Sequence, residues 1–471
     1  MIITRFAPSP TGNLHIGNIR TALYSWLFAK SNNGKFLIRI EDTDKKRSKS
    51  NFAKSIIKII KWLKLDWDNK IYYQSKRKKK YEKYLKYMLK TGLAYKCFCS
   101  KERLLNIKKM QILNKIKPKY DLFCRYKKNY LKLHNKFVIR AKMPKSGITS
   151  FNDFVYGNLT INNKELDDFI ICRSNGDFTY NFCCAIDDYE MKISHVIRGE
   201  DHLNNTPKQI NLLSLLNLKF PKYIHLPIIL NSFNKKLSKK NLESNIKFYK
   251  EEGILSESLL NYLLRLGWSY KNKEIFTIDE MKKYFSIKSI KKSPCKINFK
   301  KLLWINKEKI KLYSTKKIKK ILINFLKKMK INYPKRLSKI IDLVKFRCNT
   351  IKEIVTDFKY LYEGFYIEKE IIFSNFHKFD INILYFIYKV FSEINKFTYD
   401  SINEIFKKIK NNLKKDISFV YRLIRLIITG SESTPNLKKI LIILGQKDVL
   451  KRIYFIIKTL EKDKRKCLEI L

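Results

Sequence analysis

No stretch of the 471 residues reaches the roughly 18 consecutive apolar positions of a membrane-spanning helix. The most apolar segments, such as 381–391, are too short and are broken by Asn382 and Lys389. The opening MIITRFAPSP lacks the charged, apolar and small-residue layout of a secretion signal, so a cytoplasmic protein with no membrane partner is expected. Cysteine is sparse: nine are scattered along a long chain, an odd number that excludes a disulfide framework and leaves metal binding as the cysteine function to look for. Carboxylates are scarce as well, 42 Asp and Glu against 100 Lys and Arg, which leaves a formal charge of +58. Such a surplus favours polyanionic partners, nucleic acid first. Biased usage of Lys, Ile and Asn explains the same excess, so charge alone assigns no function.

With 45% hydrophobic and 14% aromatic residues the chain has the apolar surface to fold, and its length suggests about three domains. Residues 2–6 read as a strand followed by a breaker-rich loop, Ala7 to Asn13. Ile19, Ala22, Leu23, Trp26 and Leu27 then fall at helical spacing, Asn33-Gly34 closes the helix, and Phe36 to Ile40 resumes as strand. This is a βαβ unit, whose strand-to-helix loop is where doubly wound sheets hold nucleotide phosphates. A middle stretch, 75–180, reads as an insertion, opening on a basic helix and containing β-like pieces at 136–141 and 157–161. The α/β pattern returns at 194–198, with a helix after Asn205 and a further strand near 224–230. From about Ser256 the periodicity is nearly all helical.

The loop Pro8-Ser9-Pro10-Thr11-Gly12-Asn13-Leu14-His15-Ile16-Gly17-Asn18 has its own logic. Proline fixes the entry, Gly12 and Gly17 admit a ligand close to the backbone, and N–H groups at the helix start face phosphate with His15 beside them. On residues alone, a lone His near a helix start is more often structural than catalytic.

His15-Ile16-Gly17-Asn18 resembles the HIGH signature of class I aminoacyl-tRNA synthetases, and RFAPSPTGNLHIGNIRTALYSWLFA resembles their glutamyl branch. Asn18 stands where the signature has its second His. Lys236-Leu237-Ser238-Lys239-Lys240 resembles the KMSKS loop, which closes on ATP. Arg39 to Asp44, Thr179 to Phe182 before Asp187-Asp188, His195 to His202, and LLNYLLRLGW at 259–268 resemble the same branch, covering about the first 300 residues. The resemblance implies an α/β Rossmann-like catalytic domain (1–74 and 181–232) interrupted by an inserted α+β acceptor-arm domain (75–180). A stem-contact region (233–315) and an all-α anticodon-binding region (316–471) follow.

It implies a glutamate–tRNA ligase that uses L-glutamate, ATP with Mg²⁺ and tRNA(Glu), acting as a monomer. His15, Lys236 and Lys239 would stabilise charge on the phosphates, with the rest of both signatures holding ATP. Arg5 and Arg198, at strand ends, would supply guanidinium forks for the substrate's carboxylates, and Glu41 would take the ammonium. Ser9 and Tyr180 would add hydroxyl hydrogen bonds. Cys97, Cys99 and Cys124 stand where bacterial relatives carry a zinc knuckle, yet Tyr126 occupies the position of the fourth ligand and His134 has unrelated spacing. The resulting reading is a degenerate knuckle with free thiols. An enzyme that also charges tRNA(Gln), and an inactive RNA-binding paralogue, share these motifs and remain alternatives.

Overall fold

The computed structural model describes residues 1–12, 14–44, 48, 50–126, 136–236, 245–332, 334, 336–362, 367–376 and 381–468. They form two compact units, residues 1–250 with 256–302, and residues 251–255 with 303–471.

The first unit is built on parallel strands. β1 (Ile3–Phe6) pairs with β2 (Lys35–Ile40) across the helix α1 (Ile16–Ser31), and β2 pairs with β3 (Tyr72–Tyr73). The inserted segment then gives β4 (Ala94–Cys97), β5 (Val138–Ala141) and β8 (Ile170–Cys172), a small antiparallel sheet in the order β4-β5-β8. Between β5 and β8 lie β6 (Ile148–Asp153) and β7 (Gly157–Asn162), an antiparallel pair. They do not join the small sheet: β6 adds to β10 (Lys222–Leu226), which runs parallel to β9 (His195–Gly199). The Ser194 N–H donates to the Ile3 carbonyl at 2.9 Å, which sets β9 alongside β1. The carboxyl ends of β1, β2, β9 and β10 thus open on one edge, the position at which α/β sheets bind ligands.

α1 is buried around most of its circumference, from Ile16 and Ile19 through Trp26 and Leu27 to Ala29. Its Tyr24 hydroxyl donates to the Leu264 and Leu266 carbonyls at 2.9 and 3.1 Å, and Arg20 donates to Leu266 O at 3.2 Å and to Pro227 O. The stretch LLNYLLRLGW therefore packs on the helix that heads the phosphate loop. The small sheet shares an apolar core, including Tyr81, Met88, Ile139, Phe182 and Leu212, with the helices Tyr180–Glu190 and Thr206–Leu215. The region after Ser256 is nearly all helical, as its periodicity implies, with one short exception: β12 (Cys295–Lys296) pairs with β11 (Ile229–Leu230). The two residues of β12 are too few to register as an alternation in sequence.

The second unit is helical and organised by amphipathic stripes. In Thr315–Met329 the buried positions are Ile318, Leu322 and Leu326, one side of a 3.6-residue repeat. Ser314 caps its start by accepting from the Lys317 N–H, and Lys330 ends it in the left-handed region at φ 58°. Among the described residues no helix is long and apolar enough to cross a membrane.

Candidate active site

A cavity of about 460 Å³ opens where β1, β2, β9 and β10 end. The loop after β1 is drawn toward the end of β2 by the Glu41 N–H, which donates to the Pro8 carbonyl at 3.0 Å. His15 is the extended residue at the start of α1, with φ −105° and ψ 163°. The Asn18 carboxamide oxygen accepts from the His15 backbone N–H at 3.3 Å, so the residue that departs from the HIGH signature serves as a helix cap. A Cβ on Gly17 would stand 3.0 Å from two atoms of the His15 ring, so a larger residue there would push the imidazole by a few tenths of an ångström.

The cavity gathers most of the residues singled out in sequence. Arg5, Glu41, Tyr180 and Arg198 line it, as do Pro8, Ser9, Thr11 and Gly12, then Leu14, His15, Gly17 and Asn18, and Lys236. Pro10 and Ile16 are buried behind the loop instead. Asn13, Leu237, Ser238, Lys239 and Lys240 lie outside the described residues, as does His134. The flanks of the second signature are nevertheless in place. Lys236 bridges Leu230, and Asn245 bridges His15 while Ile246 N–H donates to Leu14 O at 3.3 Å.

The charged groups are held by partners that the sequence did not announce. Asp188 accepts from Arg5 Nε (3.0 Å) and Nη2 (3.3 Å) and from Arg39 Nη1 (2.6 Å). Arg39 Nη2 donates in turn to Glu41 Oε1 at 3.1 Å. Burial opposes ionisation of Asp188, but the Arg39 and Arg5 charges hold its carboxyl down at about 2. Burial pushes Glu41 above the usual carboxylate range against the pull of Arg39 and Arg5. The neighbouring Asp187 faces the inserted segment, accepting from Gln74 (3.0 Å), Arg77 (2.6 Å) and Tyr81 (2.7 Å).

Arg198 donates to His225 Nε2 (3.1 Å), Gln209 (2.9 Å) and Thr206 (2.7 Å). His225 Nδ1 lies 2.7 Å from Asp153 Oδ2, and burial lowers its pKa, so the neutral ring donates to Asp153 and accepts from Arg198. The Tyr180 hydroxyl lies 3.2 Å from His202 Nδ1, which the Asn205 amide nitrogen also approaches at 3.4 Å, and burial and Arg198 depress His202 to about 4. The missed residues Asp188, Arg39 and His202 all stand in stretches recognised as motifs, but nothing in a linear sequence shows which way their side chains point.

A second cluster lies at β4. The sulfurs of Cys97, Cys99 and Cys124 are within 4.8 Å of one another. The Tyr120 hydroxyl is 3.4 Å from Cys97 Sγ, 3.6 Å from Cys99 Sγ, and accepts from the Cys124 N–H at 2.8 Å. The place sought for a fourth ligand is thus filled by Tyr120, while Tyr126 is exposed. Arg140 stacks 3.9 Å over the Tyr120 ring and Arg103 reaches Cys99 Sγ at 3.4 Å. Burial disfavours a thiolate at Cys97, yet hydrogen bonds from Tyr120 and Arg140 hold that thiol below its ordinary value. Three sulfurs within reach of one ion supply three of the four ligands of a closed zinc site, with the Tyr120 phenol oxygen beside them, while burial pushes the Cys99 thiol up to about 12.

A strand-edge cavity is thus bordered by the His15 start of a helix and by the buried Arg5 and Arg198, the position at which α/β sheets bind ligands. The model of the catalytic domain of class I tRNA synthetases (E and Q) matches residues 1–304, and that of an anticodon binding domain matches 308–457. The glutamate–tRNA ligase of Wigglesworthia glossinidia brevipalpis is 44% identical over 470 residues, 98% of each chain. That of Buchnera aphidicola subsp. Cinara cedri is 46% identical over 470 residues, again 98% of each. The crystal structure of a glutamate tRNA ligase from Elizabethkingia meningosepticum in complex with its amino acid matches with a TM-score of 0.85 at 30% identity, covering 98% of this chain and 99% of that one. The chain belongs to the glutamate–tRNA ligase family of class I tRNA synthetases.

The Gly17 contact yields a prediction. Gly17→Ala should displace the His15 ring and lower kcat by up to about 10²- to 10³-fold, the range for losing one transition-state contact, with little change in melting temperature. Steady-state kinetics beside a thermal melt check this; an unchanged kcat would show that the ring position does not matter.

Proposed function

We propose that the chain activates L-glutamate with ATP, supplied as its Mg²⁺ complex, and transfers it to the 3′-terminal adenosine of tRNA(Glu). The observation that carries this reading is the single cavity bordered by Arg5, Glu41, Arg198, His15 and Lys236. Arg5 and Arg198 take the substrate's carboxylates and Glu41 takes its ammonium, while Ser9 and Tyr180 supply hydroxyl contacts. ATP lies along the loop from Pro8 to Asn18, its phosphates at the start of α1, where N–H groups and the helix dipole favour anions.

In the first step an oxygen of the glutamate α-carboxylate attacks the α-phosphorus, and the bond to the bridging oxygen breaks toward pyrophosphate. His15 stabilises the charge on the phosphate in transit, and Lys236 and Lys239 that on the leaving group. In the second step a terminal ribose hydroxyl of tRNA attacks the activated carbonyl carbon; it loses its proton, and AMP departs with the electrons of the broken C–O bond. No covalent enzyme intermediate is needed.

The inserted sheet and the helical unit contact the acceptor and anticodon arms. In the helical unit a cavity of about 360 Å³ borders Arg347, Lys359, Thr429 and Thr434, of a size and polarity that suit an unstacked base. We assign a structural zinc ion to Cys97, Cys99, Tyr120 and Cys124, where it would tie β4 to the segment before β5 and take no part in the chemistry.

Charging assays test the central reading. Labelled glutamate should attach to tRNA(Glu) only with ATP present, and Lys239→Ala should lose about 10²-fold or more in kcat while still binding tRNA. Tight tRNA binding with no charging would contradict the reading. For the metal, the purified protein should carry one zinc per chain by elemental analysis, and Tyr120→Phe should weaken its retention against a chelator. Metal-free protein whose Cys99 and Cys124 react freely with a thiol reagent would refute the assignment.

A further inference from the structure

The pocket's selectivity depends on a residue that does not line it. A guanidinium carries five N–H protons, and in the structure three of those on Arg5 are committed. Nε and Nη2 donate to Asp188, and Nη1 donates to the Ile197 carbonyl at 3.4 Å. Two remain, one on each terminal nitrogen, and a carboxylate has two oxygens to accept from such a fork. A carboxamide cannot match that fork, because one of its two heteroatoms is itself a donor.

The fork discriminates only while the guanidinium cannot turn. Asp188 is 3% exposed and grips Arg5 through two nitrogens. The same carboxylate holds Arg39, which holds Glu41, so one side chain orients the cation meant for a carboxylate and the anion meant for the ammonium. We propose that Asp188 is a positioning residue that sets the preference for glutamate over glutamine by locking the free edge of Arg5 toward the cavity. The inference rests on the assignment of Arg5 to a substrate carboxylate.

A purely structural ion pair would affect every substrate alike, and that difference is measurable. Asp188→Asn keeps the volume but replaces one acceptor with a donor facing two arginines. With tRNA saturating, KM for glutamate should rise at least about tenfold while KM for ATP stays within about twofold, and the ratio of kcat/KM for glutamate over glutamine should fall at least about tenfold. A folded variant with an unchanged ratio, or with both KM values rising together, overturns the proposal.

Should Asp188→Asn fail to fold, Asp188→Asn with Arg39→Gln removes a buried cation along with the anion and is expected to show the same loss of selectivity. A double variant that keeps wild-type selectivity, or that does not fold, overturns the proposal, since the cluster would then serve the fold alone. Arg5→Ala is measured in parallel. If it leaves KM for glutamate unchanged, the assignment of Arg5 itself fails; if it raises that KM and Asp188→Asn does not, only the positioning role fails.

Discussion

Two buried carboxylates next to each other on one helix, Asp187 and Asp188, hold three arginines that enter from different parts of the first unit. Taking such charges out of water costs several kcal/mol per ion, and only close pairing with further hydrogen bonds offsets that. The pairing here is dense: Arg5 from β1, Arg39 from β2 and Arg77 from the start of the insertion all end on these two side chains. Breaking such a pair typically costs about 3–5 kcal/mol, because the surviving partner stays buried and unmatched. The cluster therefore serves as a geometric constraint: the strands that carry the pocket and the segment that opens the insertion must meet one helix at fixed points.

From that constraint the rest of the site follows in layers. Fixed strand ends place Arg5 and Glu41, a second chain from Asp153 through His225 places Arg198, and neutral His202 orients Tyr180. The phosphate side is built differently, from backbone: a proline-bordered loop, an Asn18 cap and a glycine that makes room for an imidazole. Rigid charged groups suit recognition of a small dicarboxylate, and backbone donors at a helix start suit phosphates that must bind and then leave. The +58 surplus explains little of this, since Arg5 and Arg39 are matched by the buried Asp188 and Glu41 and Arg198 is held by neutral partners.

The sequence was most legible where chemistry is local. The βαβ unit, the loop between its first strand and helix, and the helical second half all rest on periodicity or on breakers within about a dozen residues, and the structure has each of them. Long-range partnerships were not legible. That β6 and β7 leave the inserted stretch to join β10 depends on hydrogen bonds to residues some 70 positions away. The fourth member of the cysteine cluster was sought at Tyr126 because metal motifs are read by spacing; the fold supplies Tyr120 instead. Asp188 was quoted within a motif yet given no role, because a buried aspartate and a surface aspartate are identical on paper.

The central claim is that rigidly held guanidinium groups select a dicarboxylate. Its most direct test is tRNA charging by the unaltered enzyme with L-glutamate against L-glutamine, each over a full concentration range. The account predicts a kcat/KM preference for glutamate on the order of 10⁴, the scale reached when a site's buried polar groups are left unmatched by an analogue. A preference below about tenfold would contradict it, and would mean that the Asp188–Arg5 arrangement holds the fold together without choosing the substrate.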